Sequence, residues 1–264
     1  MFLNPDLQGI LEYGHEKNIA LSFGTGANLN FARDEVLETI VRTGLQTLTC
    51  SIDGARPESY ATYRIRGDLA KVLSNIERIN HFKRVYRSKR PLLVWQFIVF
   101  GFNEAEIDEA RELARSLDMS FHLKLTWDDE FSPVLDRDRL VTEFGMPAAT
   151  REDYRAEKGG DYVEFICDQL WDEPQINWNG DVLGCCRNFW GRFGGNAFRD
   201  GLSAAINSES MSYARAMLTG DAPPRQDIPC TTCDIYQHRR ANNRWVKRQA
   251  SILTRLKRFV LNRG

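Results

Sequence analysis

Five of the six cysteines fall in the second half of this 264-residue chain, and their spacing is the first sign of chemistry. Cys230-Thr-Thr-Cys233 is a C-x-x-C pair, in which two intervening residues let a tight turn aim both sulfurs at one ion or cluster. Cys185 and Cys186 come just after Asn179-Gly180, a short hairpin signal, and Cys167 stands upstream of both. Three separate loops can therefore carry four thiolates to one point, a donor set for tetrahedral zinc or for an iron–sulfur cluster. Local spacing fits either metal. A thioredoxin-like redox pair fits less well, because Pro229 precedes the pair and no strand leads into it. Cys50 lies in a strand-like segment far from the others and reads as core. The four histidines (His15, His81, His122, His238) are scattered and read without a ligand role, and Asp128-Asp-Glu130 reads as a solvated loop.

Around these residues the chain alternates between two periodicities. Asn4-Pro5 reads as a helix opening, followed by Leu7, Ile10 and Leu11. Ile19–Phe23 reads as a buried strand ending at Gly24-Thr-Gly26. Val36, Leu37, Ile40 and Val41 form a helical stripe that Gly44 stops, and Gln46–Ser51 is a strand that Asp53-Gly54 turns. Asp68 caps a helix carrying Leu69, Val72, Leu73, Ile76 and Ile79. Leu92–Val99 suits a strand buried on both faces. Asn103 and Glu106 resemble a capping box ahead of Ile107, Ala110, Leu113, Ala114 and Leu117, and Phe121–Leu125 is the next strand. Four β/α alternations imply parallel strands joined by right-handed crossovers. Past Trp127 the pattern breaks, and 128–164 reads as a linker or bridging region. A hairpin over Ile176–Leu183 and a helix over Asp200–Leu218 follow.

The composition is that of a soluble globular chain, with 42% hydrophobic and 27% charged residues and a net charge of −1. This excludes a uniformly basic nucleic-acid binder. Nine of the 35 Lys and Arg, and none of the 36 Asp and Glu, lie in 239–264, so the rest of the chain holds 26 basic against 36 acidic groups, or −10. That tail carries Trp245, Ile252, Leu256, Phe259 and Val260 at helical steps and reads as a basic amphipathic helix, fit for contact with an acidic partner or an anionic surface. No apolar run is long enough to span a bilayer, and no secretory signal opens the chain. The expected compartment is the cytoplasm, where cysteines stay out of disulfides.

Set in order, the second-half motifs resemble a known domain. Cys167, Trp171, Ile176-Asn-Trp-Asn-Gly-Asp-Val-Leu-Gly-Cys-Cys186, Gly195-Asn196-Ala-Phe198, Leu202, Ile206-Asn-Ser208, Arg215 and Cys230-x-x-Cys233 resemble the SPASM domain of radical SAM enzymes. The first half agrees. Leu3-Asn-Pro5, Gly24-Thr-Gly26 with Asn28-Leu29, and Ser51-Ile-Asp-Gly54 with Tyr60 and Arg64 resemble the middle of a radical SAM barrel. The resemblance implies an α/β fold: a partial (β/α) barrel over 1–127, the bridging region 128–164, a small α+β cysteine-rich domain over 165–238 and a C-terminal helix over 239–264. It also implies an auxiliary [4Fe–4S] cluster on Cys167, Cys185, Cys230 and Cys233, with Cys186 the adjacent alternative to Cys185. Ser51, at a strand end, would lie near S-adenosylmethionine in a complete family member.

One departure is large. The family's C-x-x-x-C-x-x-C loop, which holds the catalytic cluster, is not present in this sequence. The family's activity is that of an oxidoreductase acting on a peptide or protein, but the chain as it stands is expected not to cleave S-adenosylmethionine, with truncation as the favoured reason. The alternative is a non-catalytic binding module in which four cysteines hold a structural zinc ion.

Overall fold

The computed structural model of the chain describes residues 2–247. They divide into two compact units, the first running through Thr150 and the second starting at Arg151. The boundary therefore falls inside the region expected to bridge the domains. Among the described residues no helix is long and apolar enough to cross a membrane.

The first unit is built on four parallel strands, β1 (Phe23–Ala27), β2 (Thr47–Ser51), β3 (Leu92–Val99) and β4 (Met119–Leu125), in the order β1-β2-β3-β4. The helices are α1 (Leu7–Glu16), α2 (Asp34–Arg42), α3 (Pro57–Tyr63), α4 (Leu69–Val85), α5 (Ile107–Ser116) and α6 (Arg137–Thr142). This is the expected α/β alternation. Leu48 and Cys50 of β2 and Trp95 and Phe97 of β3 are fully buried. So are the stripes Val36, Leu37 and Ile40 of α2, Ile76 and Ile79 of α4, and Ile107, Ala110 and Ala114 of α5. Each such large side chain removed from water contributes about 1.5–3 kcal/mol. The Asp68 side chain accepts from the Lys71 N–H and caps α4, as the sequence indicates.

Three local expectations shift. The first helix opens at Leu7 rather than Asn4, because the Asn4 side chain turns back to accept from the Asp6 N–H. The first strand runs over Phe23–Ala27, through the glycines meant to end it, because the α1 cap extends to Ile19, whose N–H reaches the Gly14 carbonyl. Asn103 and Glu106 form no capping box. Asn103 accepts from the Phe100 N–H and donates to the Asp53 and Ile98 carbonyls, while Glu106 accepts from the Ala55 N–H and the Ser59 hydroxyl. Both side chains are buried bolts on the loop that follows β2.

In the second unit α7 (Arg151–Lys158) leads to a 3-10 turn over Glu164–Asp168 that carries Cys167, then α8 (Gln169–Asp172). The hairpin of β5 (Gln175–Ile176) and β6 (Val182–Gly184) is antiparallel. Its turn is wider than a two-residue Asn-Gly turn. The Gly180 N–H bonds to the Asn177 carbonyl and the Asn177 N–H to the Asp181 carbonyl, with Gly180 at φ 87°. The expected helix over Asp200–Leu218 is two, α9 (Leu202–Ile206) and α10 (Glu209–Thr219). They are divided where the Ser208 hydroxyl donates to the Phe193 carbonyl and accepts from the Met211 N–H. A 3-10 turn over Pro229–Thr232 precedes α11 (Asp234–Ala241). The tail helix expected from Arg239 is helical only through Ala241. Asn243 takes φ 52°, residues 244–247 are not helical, and the rest of that tail lies outside the described residues. The core of this unit joins Val163, Ile166, Cys167, Leu170, Val182, Phe193, Met211, Met217, Ile228 and Tyr236.

Candidate metal-cluster centre

Three backbone devices present the thiols. Cys167 sits buried in the 3-10 turn ahead of α8. Cys185 leaves β6 into a turn closed by the Asn188 N–H on its carbonyl at 3.2 Å, and the Arg187 and Asn188 N–H groups lower its thiol. Between Cys230 and Cys233 the chain makes one 3-10 turn, closed by the Cys233 N–H on the Cys230 carbonyl at 3.0 Å. The Thr231 hydroxyl on the Arg225 carbonyl at 2.6 Å fixes that turn from outside. Cys233 is also the N-cap of α11, and the Tyr236 and Ile235 N–H groups of that helix start lower its thiol against the effect of burial. Thiolate character is stabilised at such a helix start.

The four thiols act on one another electrostatically. The Cys167 thiol is pushed up to about 12, first by burial, with Arg239 opposing and Cys233 and Cys185 adding to the rise. Cys230 is driven well above its ordinary value by burial and then by Cys167, Cys185 and Cys233. Cys185 is raised by burial, against its two N–H donors, and feels Cys233. Cys233 is raised chiefly by burial, against the N–H groups of Tyr236 and Ile235. Every pair within the quartet thus interacts. Cys186 is exposed, acts on its neighbour Cys185, and gives its N–H to the Gln169 side chain at 2.8 Å. Among the described residues no three Cys, His, Asp or Glu side chains close into the shell of a single ion. The four thiols are in electrostatic reach of one another without forming that tighter arrangement.

The donor chemistry fits a cluster. All six cysteines are free. The quartet packs on the apolar core of its own unit, where four uncompensated thiolates would be costly, and a cationic cluster core held by them would supply the balancing charge. Among the described residues the buried Tyr236 hydroxyl and Arg239 Nε–H have no hydrogen-bond partner.

Ser51 belongs to the first unit. It is buried at the C-terminal end of β2, where its hydroxyl accepts from Gln96 Nε2 at 3.2 Å. A Cβ on Gly26 would lie 1.8 Å from Ser51 Oγ, so β1 passes this hydroxyl only as glycine. Asp53 is fully buried, bonded to the Ile98 N–H at 2.8 Å and to Arg64 Nε at 2.6 Å. Burial raises its carboxyl above the ordinary value, and Arg64 only partly offsets this. The Tyr60 hydroxyl accepts from Asn30 at 2.9 Å. The motif Ser51-Ile-Asp-Gly54 with Tyr60 and Arg64 therefore holds a strand end rigid.

Residues missed from sequence share the face of Ser51. Register pairs Ser51 with Gln96 and Gln96 with His122, then Ile98 with Lys124. Leu92–Val99 is accordingly not buried on both faces, since Val94 and Gln96 are half-buried. The signal was Gln96 interrupting an apolar run, with His122 and Lys124 alternating two strands away. Elsewhere His15 faces the Thr43 carbonyl and Glu12 binds Arg42. Asp128 folds onto the Glu130 and Phe131 N–H groups, as expected of a loop.

The first unit is a parallel α/β sheet with its helices, and in the second unit three loops carry four cysteines whose thiols act on one another. Residues 167–234 match the family model of SPASM, described as an iron-sulfur cluster-binding domain. The chain is 32% identical over 142 residues to a GTP 3',8-cyclase of Syntrophomonas wolfei subsp. wolfei, a match covering 52% of this chain and 39% of that protein. It is similar in fold to the crystal structure of Streptococcus suis SuiB, with a TM-score of 0.58 at 13% identity over 81% of this chain and 55% of the other. The chain thus spans about two fifths of the curated relative and about half of the solved one.

Proposed function

We propose that this chain is the auxiliary-cluster portion of a radical SAM oxidoreductase acting on a peptide or protein, with one [4Fe–4S] cluster held by Cys167, Cys185, Cys230 and Cys233. The observation that carries this reading is the mutual interaction of those four thiols, drawn from three loops within the matched SPASM region. Such a cluster supplies one-electron transfer or a substrate anchor. The protein's own residues orient its ligands. The N–H groups at Arg187, Asn188, Ile235 and Tyr236 favour the thiolate forms of Cys185 and Cys233.

Ser51, in its glycine-walled niche beside Gln96, is the residue we assign to the S-adenosylmethionine side of the barrel. This stretch holds no C-x-x-x-C-x-x-C, so by itself it leaves S-adenosylmethionine uncleaved. A macromolecular substrate is supported by Trp178, Phe189 and Phe198 in the cluster unit, each largely exposed. Six free thiols suit a reducing cytoplasm.

The test is anaerobic reconstitution of the full chain with iron and sulfide. The reading expects a brown protein with about four irons per chain, and no 5′-deoxyadenosine from S-adenosylmethionine and dithionite. Stoichiometric zinc with no iron would establish the zinc module instead.

A further inference from the structure

Helix α11 does more than cap Cys233. Its buried face carries Ile235, Tyr236 and Arg239. Arg239 is 7% exposed, which is unusual for a guanidinium lacking a carboxylate partner of its own. It donates from one terminal nitrogen to the Arg244 carbonyl at 2.6 Å and from the other to the Glu164 carbonyl at 3.0 Å. Glu164 opens the 3-10 turn that carries Cys167. The guanidinium is thus bolted to the backbone of the cysteine-bearing turn, and among the described residues its Nε–H has no hydrogen-bond partner.

The nearby charges cancel it only in part. The Glu164 carboxylate is hydrogen-bonded by Arg244, from Nε at 3.2 Å and a terminal nitrogen at 2.7 Å, and also feels the charge of Arg239, so one carboxylate stands against two guanidiniums. Asp234 is taken by Arg187, and Asp161 pairs with Arg155 and lies near Arg151. Of the charged groups acting on Cys167, Arg239 acts most strongly, ahead of Asp168. One helical turn earlier, the buried Tyr236 hydroxyl also lacks a partner, and it lies within the influence of Cys230 and Arg240.

We infer that Arg239, seconded by Tyr236, is a positioning residue that supplies the built-in counter-charge of the cysteine quartet and raises the reduction potential of the cluster it holds. The inference rests on the cluster reading above. Four thiolates around a [4Fe–4S]²⁺ core leave the site at −2, and one added electron takes it to −3. A fixed cation at the Cys167 side favours that step. A unit charge about 10 Å away at an effective dielectric of about 20 changes a one-electron equilibrium by about tenfold, equivalent to about 59 mV.

The test compares the reconstituted full chain with Arg239→Gln, Arg239→Lys and Tyr236→Phe, each assayed for iron and sulfide and then titrated potentiometrically by EPR. Arg239→Gln is expected to keep about four irons and to show a reduction equilibrium about tenfold less favourable, a shift of about 59 mV to more negative potential. Arg239→Lys keeps the charge and is expected to recover most of the shift. Tyr236→Phe is expected to move the potential the same way by a smaller amount. Where Arg239→Gln does not fold, the Lys and Phe variants decide: a lysine variant near the original potential with a lowered phenylalanine variant supports the inference. Arg239→Gln and Tyr236→Phe variants that bind four irons at an unchanged potential overturn it and leave the cluster reading standing. An unsubstituted chain that binds no iron overturns both.

Discussion

Replacing Arg64 by Met should make the stability of the first unit depend on pH in a defined direction. Asp53 is fully buried and Arg64 is 27% exposed at the side chain, so their ion pair is partly screened. Breaking a buried pair costs about 3–5 kcal/mol; the exposed end of Arg64 brings the expected loss at pH 7.5 to about 2–3 kcal/mol. The remaining carboxylate keeps the Ile98 N–H and the field of Lys124, but burial, the largest influence on it, already raises its proton affinity. Without Arg64 the carboxyl therefore takes up a proton in the folded state.

The sign follows from linkage. A carboxyl with a folded-state value above its unfolded value contributes stability that is present below the unfolded value and lost as pH rises through the folded one. In the unsubstituted protein that window opens just above the ordinary carboxyl value of 3.8. In Arg64→Met it extends upward, and the deficit should shrink by up to about 1.4 kcal/mol per pH unit on going down from pH 7.5. At pH 5.5 less than about 1 kcal/mol should remain. Asp53→Asn keeps an acceptor for Ile98 and removes the charge, so its smaller cost should not vary with pH. Urea unfolding at each pH, read by pulsed hydrogen exchange on the Leu92–Val99 segment, isolates this unit from the second. A deficit in Arg64→Met that is the same at pH 5.5 and 7.5 would refute the reasoning.

Two further outcomes follow from the same geometry. Gly26→Ala places a Cβ 1.8 Å from Ser51 Oγ, so it should break the Ser51–Gln96 bond and cost about 1–3 kcal/mol in thermal unfolding, whereas Gly9→Ala, with open space around it, should not. In the metal-free chain the raised thiols contribute stability present below the ordinary thiol value of 9.0 and lost as pH rises from there toward about 12. Alkaline unfolding of the second unit should therefore begin near pH 9 without metal and be delayed in the reconstituted chain. Equal alkaline sensitivity of the two forms would contradict this.

The parallel alternation was legible because buried stripes such as Ile76 and Ile79, or Trp95 and Phe97, repeat at the period of their element. The cysteine region was legible because C-x-x-C and a hairpin cysteine are local features. What escaped was non-local. Asn103 and Glu106 look like a helix start in sequence, yet their partners are Asp53, Ala55 and Ser59, some fifty positions away. The row Ser51, Gln96, His122 exists only through strand register. Spacing alone left Cys185 and Cys186 equivalent; burial and the turn after β6 separate them. Arg239 counted in sequence as part of a solvated basic tail, and only the fold shows it buried.

The central claim is that one quartet, and no other set of cysteines, holds the cluster. The most direct measurement is Mössbauer spectroscopy with iron counts on anaerobically reconstituted ⁵⁷Fe protein carrying Cys185→Ser, Cys186→Ser, Cys230→Ser or no substitution. The account predicts about four irons and a cubane spectrum in the unsubstituted chain and in Cys186→Ser, with the signal lost or reduced in Cys185→Ser and Cys230→Ser. A full cluster in Cys185→Ser, together with its loss in Cys186→Ser, would contradict it.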